Sequence, residues 1–395
     1  MPGPLAGRRI WFVGIGGAGL SGYALLANAW GAEVAGWDKV DTPYLDNVRA
    51  AGIGVTIGPE PVAAPAGWDA VVSSAFAGRV AGASRAAFLA ELVSLQRAIV
   101  VAGAHGKTTT AAMVAFVLDR LGLDPSFLIG GDVPQLGGNA RAGTGWLVVE
   151  GDESDRTIAS LRPEIAVVTN LDLDHHTEFA SRAEVERLFD EWLEHVPVVV
   201  RGDTVPSVGI ALAVPGEHNR RNAAAAVAAV AAAGVSPTDA ERAIAEFRGV
   251  GRRLELRGAN GVKVYDDYAH NPAKVAAAIA AARELGARVL VVFQPHLFSR
   301  TRHLARELAV ALSAADVVAV TDVYPAREKP IEGVTGRLVV EALTEVRPGM
   351  PVAWTPALED GARFVSGRAR EGDVVLTVGA GDVDRIAPLI VEALA

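Results

Sequence analysis

The sequence predicts an α/β protein made of three consecutive α/β domains. Three observations carry that expectation. Apolar strand-like runs alternate with helical stretches, the alternation restarts twice, and two glycine-rich loops each fall between a strand and a helix. At 395 residues the chain is also longer than one typical core accommodates.

The first series opens with "RRIWFVG", which ends at glycines, and continues into a helical pattern over Ala18–Ala29. "AEVAGWD" reads as the second strand; "WDAVVSSA" and "RAIVVAG" read as further buried strands, with "SRAAFLAELVSL" helical between them. Such βαβ units call for a parallel sheet with right-handed crossovers. From His105 the pattern restarts with a helix after Lys107, strands at "GWLVVE" and "EIAVVTN", and a helix over 182–195. Two more helices are expected over 219–233 and 237–247, the first of them alanine-rich and so a strong helix former. The third series begins at "VKVYDDYAHNP". It runs through a helix over 273–285, "RVLVVFQ", a helix over 302–314 and "DVVAVTD", and closes with "DVVLTVGAG". Boundaries near Gln96 and Gly249 give expected domains of 1–96, 97–248 and 249–395.

Composition narrows the function classes. The chain has no cysteine, which excludes a disulfide framework, a thiolate metal site and a cysteine nucleophile. Its net charge is −9, with no block of Lys or Arg and few aromatics, so a nucleic-acid binder is not expected. No apolar run reaches the roughly 18–20 residues of a membrane span, and "MPGPLAGRRIWFVG" lacks a signal-peptide pattern. A cytoplasmic protein without membrane partners is expected. Any anionic ligand must then be met by a few local positive groups.

The first loop, "GIGGAG", fits G-x-G-x-x-G with Gly14, Gly16 and Gly19, and Asp38 ends the next strand. Such a loop lets backbone approach a diphosphate that faces the helix N-terminus. A nicotinamide dinucleotide, another diphosphate or a plain tight turn all fit these glycines. The second loop, "VAGAHGKTTT", has Val101 where the first glycine of a phosphate loop would stand, leaving Gly103, Gly106, Lys107 and Thr108. It still follows a buried strand and opens a helix. Free N–H groups there can cradle phosphates, Lys107 adds charge, and the Thr108 hydroxyl can ligate Mg²⁺. Glu150 in "VVEGDESD" and Asp174 and His175 in "TNLDLDHH" end the neighbouring strands. Each alone fits a solvated turn; beside Lys107 and Thr108 they describe a metal–ATP site.

Taken in order, "AGAHGKTTT", "EGDESD", "TNLDLDH", "GEHNRRNAAAA", "GRR", "DDYAHNP", "FQPHLFSRTR", "DVYPAREKPIEGVTG" and "TVGAGD" resemble the Mur ligases, ATP-dependent amide-bond-forming enzymes of peptidoglycan precursor synthesis. "GIGGAGLSG", "QPHLFSRT" and "EKPIEGVTG" look like the member that adds the first amino acid. The resemblance implies a Rossmann-like N-terminal domain, a central P-loop ATPase-like domain and a Rossmann-like C-terminal domain. It implies UDP-N-acetylmuramate and L-alanine as substrates, ATP, and two Mg²⁺ ions. Two anionic substrates explain two phosphate loops.

Position by position, the resemblance implies a UDP-sugar site at Gly14, Gly16, Gly17, Gly19, Asp38 and Ser73. It implies an ATP loop of Gly103, Ala104, His105, Gly106, Lys107, Thr108 and Thr109. Thr108 and Glu150 would hold one metal, and Glu150 with a neutral His175 the second; His176 is adjacent. His218, Asn219 and Asn222 match the adenine-side motif. Arg253, with Arg252 beside it, matches the arginine that reaches the phosphates. Asp267, Tyr268, His270, His296 and Arg300 match positions that close over ATP and the amino acid, and "GAGD" looks like a phosphate-side loop. The stretches 176–216 and 75–85 are shorter than the resemblance implies, and the second lacks an Asn-Pro-Glu segment. An NAD-dependent oxidoreductase, a UDP-sugar-binding regulator and a ligase that recycles a peptide onto the same UDP-sugar are the competing readings. The first leaves Lys107, Glu150 and His175 without a role.

Overall fold

The structure, a computed structural model, describes residues 3–153, 156–172, 179, 181–206, 209, 211–326 and 328–395. Among the described residues the strands form three sheets, one for each series. The first holds β1 (Arg9–Val13), β2 (Glu33–Asp38), β3 (Gly54–Ile57), β4 (Asp69–Val72) and β5 (Ala83–Ser84), all parallel, in the order β3-β2-β1-β4-β5. The chain moves outward on one side of β1 and then crosses to the other. That reversal opens a crevice at the carboxyl end of β1, where the first glycine loop lies. The flanking helices are α1 (Ala18–Ala29), α2 (Tyr44–Ala50) and α3 (Arg85–Ser94).

The second sheet holds β6 (Ala98–Ala102), β7 (Ser126–Val133), β8 (Gly138–Arg141), β9 (Leu147–Glu150), β10 (Ile165–Val168) and β11 (Val198–Arg201), in the order β11-β10-β6-β9-β7-β8. Only the β7–β8 pair is antiparallel. With β6 between β9 and β10, the second loop leaves the sheet flanked by Glu150 and by Thr169 and Asn170. Its helices are α4 (Lys107–Arg120), α5 (Arg182–Leu193), α6 (Glu217–Ala232) and α7 (Pro237–Ile244). Every residue of α4 from Thr108 to Leu118 is buried, as expected of a helix covered on all sides.

The third sheet holds β12 (Glu255–Asn260), β13 (Val262–Asp267), β14 (Val289–Phe293), β15 (Val317–Val320), β16 (Val352–Trp354) and β17 (Val374–Val378), in the order β12-β13-β17-β14-β15-β16. It is parallel except for β12 against β13. Helices α8 (Pro272–Arg283), α9 (Phe298–Leu312), α10 (Arg337–Val346), α11 (Leu358–Ser366) and α12 (Ala387–Ala393) accompany it. The sequence pattern places α9 four residues later than it begins. Ser299 N–H donates to Glu328 Oε2 at 2.9 Å, so the first turn is capped from a distant segment rather than by its own neighbours.

Contacts divide the chain into two compact units: Met1–Leu212 with Arg221–Arg248, and Ala213–Arg220 with Gly249–Ala395. The first unit contains both the first and second sheets, and one core joins them. Leu20, Tyr23 and Leu26 of α1 and Phe88 and Leu92 of α3 are buried in the same apolar cluster as Leu128, Leu147 and Val149. The approach is close at Gly22, where an added Cβ would lie 3.3 Å from Ala140 Cβ and 3.4 Å from Leu128 Cδ2. Asn139 Nδ2 donates to the Ala18 carbonyl at 3.3 Å, tying the start of α1 to β8.

A large side chain at Gly22 must push α1 away from β7 and β8. Gly22→Leu is therefore expected to destabilise the first unit by about 1–3 kcal/mol, the usual cost of overpacking. Urea denaturation checks this, and an unchanged midpoint would show that the two sheets do not pack through this face.

Candidate active site

The second loop is held from both flanks. Gly103 and Gly106 take φ of +129° and +82°, a region that favours glycine. An added Cβ at Gly103 would fall 2.3 Å from Thr169 Oγ1, and one at Gly106 would fall 2.3 Å from Asn222 Oδ1. His105 N–H donates to Asn170 Oδ1 at 3.0 Å, while Asn170 Nδ2 and Thr169 Oγ1 donate to the His105 carbonyl at 2.8 and 2.7 Å. The loop backbone is thereby fixed, with Gly106 as the N-cap of α4.

Lys107 folds back over this loop. Its Nζ donates to the Gly103 carbonyl at 2.7 Å and to Glu153 Oε1 and Oε2 at 2.8 and 2.9 Å. The two side chains are only 14% and 4% exposed. Burial works against the ammonium, yet Glu153, Glu150 and Asp152 outweigh it and raise the Lys107 pKa. Burial also raises Glu153, against the pull of Lys107. One residue on, Thr108 Oγ1 donates to Glu150 Oε1 at 3.0 Å, and Gly130 N–H donates to Glu150 Oε2 at 2.9 Å. A hydroxyl and a carboxylate thus meet at the mouth of a phosphate loop.

The first loop is built differently. Gly14 turns at φ +90° beside Ser73, whose Oγ would lie 2.6 Å from an added Cβ. Gly16 N–H donates to Asp38 Oδ2 at 2.7 Å, and Thr42 Oγ1 donates to the Gly16 carbonyl at 2.7 Å. Asp38 is buried and also accepts from Val40 N–H at 3.2 Å. It braces the loop from below. Gly17, the N-cap of α1, and Ala18 are exposed, so the helix start faces open space.

In the second unit the carboxyl ends of β13, β14 and β17 gather a further cluster. Arg252 adopts φ +57° and donates to Asp266 at 3.0 Å and to the Gly381 and Gly379 carbonyls at 2.9 and 2.8 Å. It is occupied in tying the "GAGD" loop to the sheet. Arg253 makes no ion pair among the described residues; its guanidinium lies 5.1 Å from the Tyr268 ring centre. Asp267 accepts from Leu254 and Ala269 N–H, both at 2.8 Å; burial raises its pKa against the pull of Arg253.

Tyr268, His270, His296 and Tyr324 form a string of ring contacts 5.5 to 5.8 Å apart. His270 Nδ1 sits 2.9 Å from the Tyr268 carbonyl, which can only accept, so Nδ1 carries the proton and Nε2 keeps its lone pair. Arg300 Nη1 donates to His296 Nδ1 at 3.3 Å. Burial first, then Lys274 and Arg300, pushes the His270 pKa down to about 3. Burial and Arg300 push His296 down to about 4. Burial also lowers His218, against Asp267 and Glu284.

Comparison with known proteins decides the family. Three family profiles match in order: "Mur ligase family, catalytic domain" over residues 9–97, "Mur ligase middle domain" over 101–204, and "Mur ligase, glutamate ligase domain" over 252–381. The UDP-N-acetylmuramate–L-alanine ligase of Streptomyces coelicolor is 41% identical, over 99% of this chain and 98% of that protein. The chain belongs to the Mur ligase family. The ligase of the same name from Paenarthrobacter aurescens is 38% identical over 98% and 97%. Among solved Mur ligases, the UDP-N-acetylmuramate–alanine ligase of Thermotoga maritima superposes with a TM-score of 0.80 at 27% identity, covering 97% of this chain and 98% of that one. A murein peptide ligase from Psychrobacter arcticus shares the fold at 24% identity and a TM-score of 0.65. The Streptomyces alignment runs to 462 positions against 395 residues here, so this Mur ligase lacks tens of residues that its relatives carry.

The structure brings Lys107, Thr108 and Glu150 together, and separately His270, His296 and Arg300. Asn219 Nδ2 caps its own turn on the Pro215 carbonyl at 2.7 Å, and Asn222 lies against Gly106 beneath the phosphate loop. Asp174, His175 and His176 lie outside the described residues. The sequence reading of this Mur ligase did not single out Glu153, Asn170 or Gly130. Glu153 stands in the quoted "EGDESD", but its pairing with Lys107 depends on how the chain turns after β9.

With folded pKa values near 3 and 4 against an ordinary value near 6.5, His270 and His296 are neutral at pH 7. Between those values the unfolded chain binds more protons, so stability is full above about pH 6.5 and falls as pH drops toward 4. Imidazole NMR signals of both residues should not titrate between pH 5 and 8. Titration of either near 6.5 would show that its ring is solvated and charged on demand.

Proposed function

We propose that this chain is the ATP-dependent ligase that joins L-alanine to the carboxylate of UDP-N-acetylmuramate in peptidoglycan precursor synthesis. The observation that carries it is a glycine loop that sets Lys107 and Thr108 beside Glu150, in a chain 38–41% identical to L-alanine ligases along nearly its whole length. The same pairing leaves hydride chemistry at the first loop without support.

A carboxylate is a poor electrophile, so the reaction needs a leaving group. A muramoyl carboxylate oxygen attacks the γ-phosphorus of ATP and ADP departs, giving an acyl phosphate. The alanine nitrogen then attacks the acyl carbon, inorganic phosphate leaves with the bonding electrons, and the nitrogen loses a proton. Catalysis on such a route is mainly positioning and charge neutralisation. Lys107 meets the transferred phosphate, and the N–H groups of residues 106–109, at the loop's end and the first turn of α4, cradle the rest of the chain of phosphates, while those of Ala104 and His105 are taken by Asn170. The first loop takes the UDP diphosphate at the open start of α1, with Asp38 and Ser73 shaping it.

The donors at Thr108 and Glu150 are hard oxygens 3.0 Å apart, which suits Mg²⁺. Thr108 and Glu150 would hold one ion, and Glu150 with His175 the second. Bound there, magnesium would neutralise phosphate charge during transfer. We assign the UDP-sugar, ATP and amino-acid roles to residues 1–96, 97–248 and 249–395. His218, Asn219 and Asn222 serve the adenine side, Arg253 the phosphates, and Asp267, His270 and Arg300 the amino-acid end. His270, uncharged at neutral pH with Nε2 open, is a weak base suited to holding the alanine ammonium.

Phosphate release from ATP tests the reading. It should require UDP-N-acetylmuramate and L-alanine together and show no response to NAD. Lys107→Ala should lower turnover at least about a hundredfold, as loss of a transition-state contact does. The UDP-sugar should still bind within about twofold, because its cradle is the other loop. Equal loss of both affinities by calorimetry would refute this separation of roles.

A further inference from the structure

The Lys107 ammonium is already matched by an anion of this chain. Both oxygens of Glu153 straddle Nζ, at 2.8 and 2.9 Å, and the Gly103 carbonyl accepts on another side at 2.7 Å. The lysine and glutamate side chains are 14% and 4% exposed, so the pair is screened little by solvent. Glu150 and Asp152 add further negative charge around the same ammonium. A phosphate that comes to Lys107 therefore meets a cation already neutralised, beside carboxylates that repel it.

The two acceptors differ in how readily they give way. The peptide unit that carries the Gly103 carbonyl is pinned, because its Ala104 N–H donates to the Asn170 carbonyl at 3.2 Å. Gly103 itself is wedged in place: an added Cβ would fall 2.3 Å from Thr169 Oγ1 and 2.7 Å from the Asn170 carbonyl oxygen. Glu153 instead reaches Nζ through its own side chain, from three residues past the end of β9. Rotation about its side-chain bonds withdraws the carboxylate without moving the loop. What replaces it must be the stronger anion. A single carboxylate gains little by displacing another, whereas a triphosphate brings several charges to the same point.

We propose that Glu153 competes with the terminal phosphates of ATP for Lys107, so that the lysine yields to a polyphosphate and not to a lone carboxylate. This deepens the ligase reading above and rests on it. The acid to be activated is itself a carboxylate, and a bare Lys107 would hold it as an ion pair where the phosphate should go. Glu153 is thus a specificity-determining residue that acts through Lys107 rather than on ATP.

Calorimetry with Mg²⁺ present compares AMP with adenylyl imidodiphosphate, an ATP analogue that resists transfer of its last phosphate. Glu153→Gln should bind the analogue roughly 5- to 50-fold more tightly than wild type, because hydrogen bonds between charged groups are stronger than those to a neutral amide. AMP, which ends short of Lys107, should bind both proteins within about twofold, as expected of a contact independent of the change. In a Lys107→Met background the same Glu153→Gln change should alter analogue binding by less than about twofold, as a double-mutant cycle for competition over that lysine requires. Weaker or unchanged binding to Glu153→Gln overturns the proposal. So does an equal gain without Lys107, which would mean that the carboxylate repels phosphate directly. Should Glu153→Gln not fold, the ¹⁵N-lysine spectrum of the wild-type enzyme decides. The Lys107 Nζ signal should shift with the analogue and not with AMP, and a signal unmoved by the analogue overturns the proposal. Wild type that binds neither nucleotide would instead overturn the ligase reading itself.

Discussion

An ammonium group that is largely buried must be paired, or it gives up its proton. Much of this active site follows from that constraint at Lys107. Glu153 supplies the pairing charge from the turn after β9, and the Gly103 carbonyl supplies a second acceptor from the loop itself. To place those acceptors, the loop needs positive φ at Gly103 and Gly106, and it needs Thr169 and Asn170 at the end of β10 to fix its carbonyls. The parallel order with β6 between β9 and β10 is what delivers all three segments to one end of one sheet. Breaking such a buried pair by removing one partner costs far more than the net worth of the pair.

Local chemistry was legible in the sequence, and pairings across the fold were not. Gly103, Gly106, Lys107 and Thr108 announce a phosphate loop because cradle, charge and hydroxyl all come from consecutive residues. Glu150 was readable because it ends a strand predicted to neighbour that loop. Arg252 and Arg253, by contrast, look equivalent in "GRR". Both guanidinium groups lie 5.1 Å from the Tyr268 ring centre, and what marks Arg252 as structural is its positive φ and its bonds to Asp266 and to the Gly379 and Gly381 carbonyls. The strands were found where apolar runs were dense. The β7–β8 hairpin was missed because "FLIGGDV" and "GGNAR" alternate weakly and carry glycines inside the strands. Helices α10 and α11 were missed although each has a clear apolar stripe, since no motif drew attention to them, and α12 is too short to show one.

The histidines of the second unit show a different kind of illegibility. "DYAHNP" and "QPHLFSR" reveal two histidines and an arginine, but not that the rings lie in a string and are kept uncharged. That state is set first by burial and then by cations that include Arg300 on the first turn of α9, and the position of that turn depends on Glu328, far along the chain.

The shared core of the first two sheets bears on how such proteins can be taken apart or recombined. The family profiles meet near residue 97, which invites a cut there. Yet a piece ending at that point would leave Leu20, Tyr23 and Leu26 of α1 uncovered, and the other piece would lose the cover over Leu128 and Val149. Gly22 and Ala140 pack closely across that seam, so a chimera that takes its first sheet from one relative and its second from another needs side chains at these two positions that fit each other.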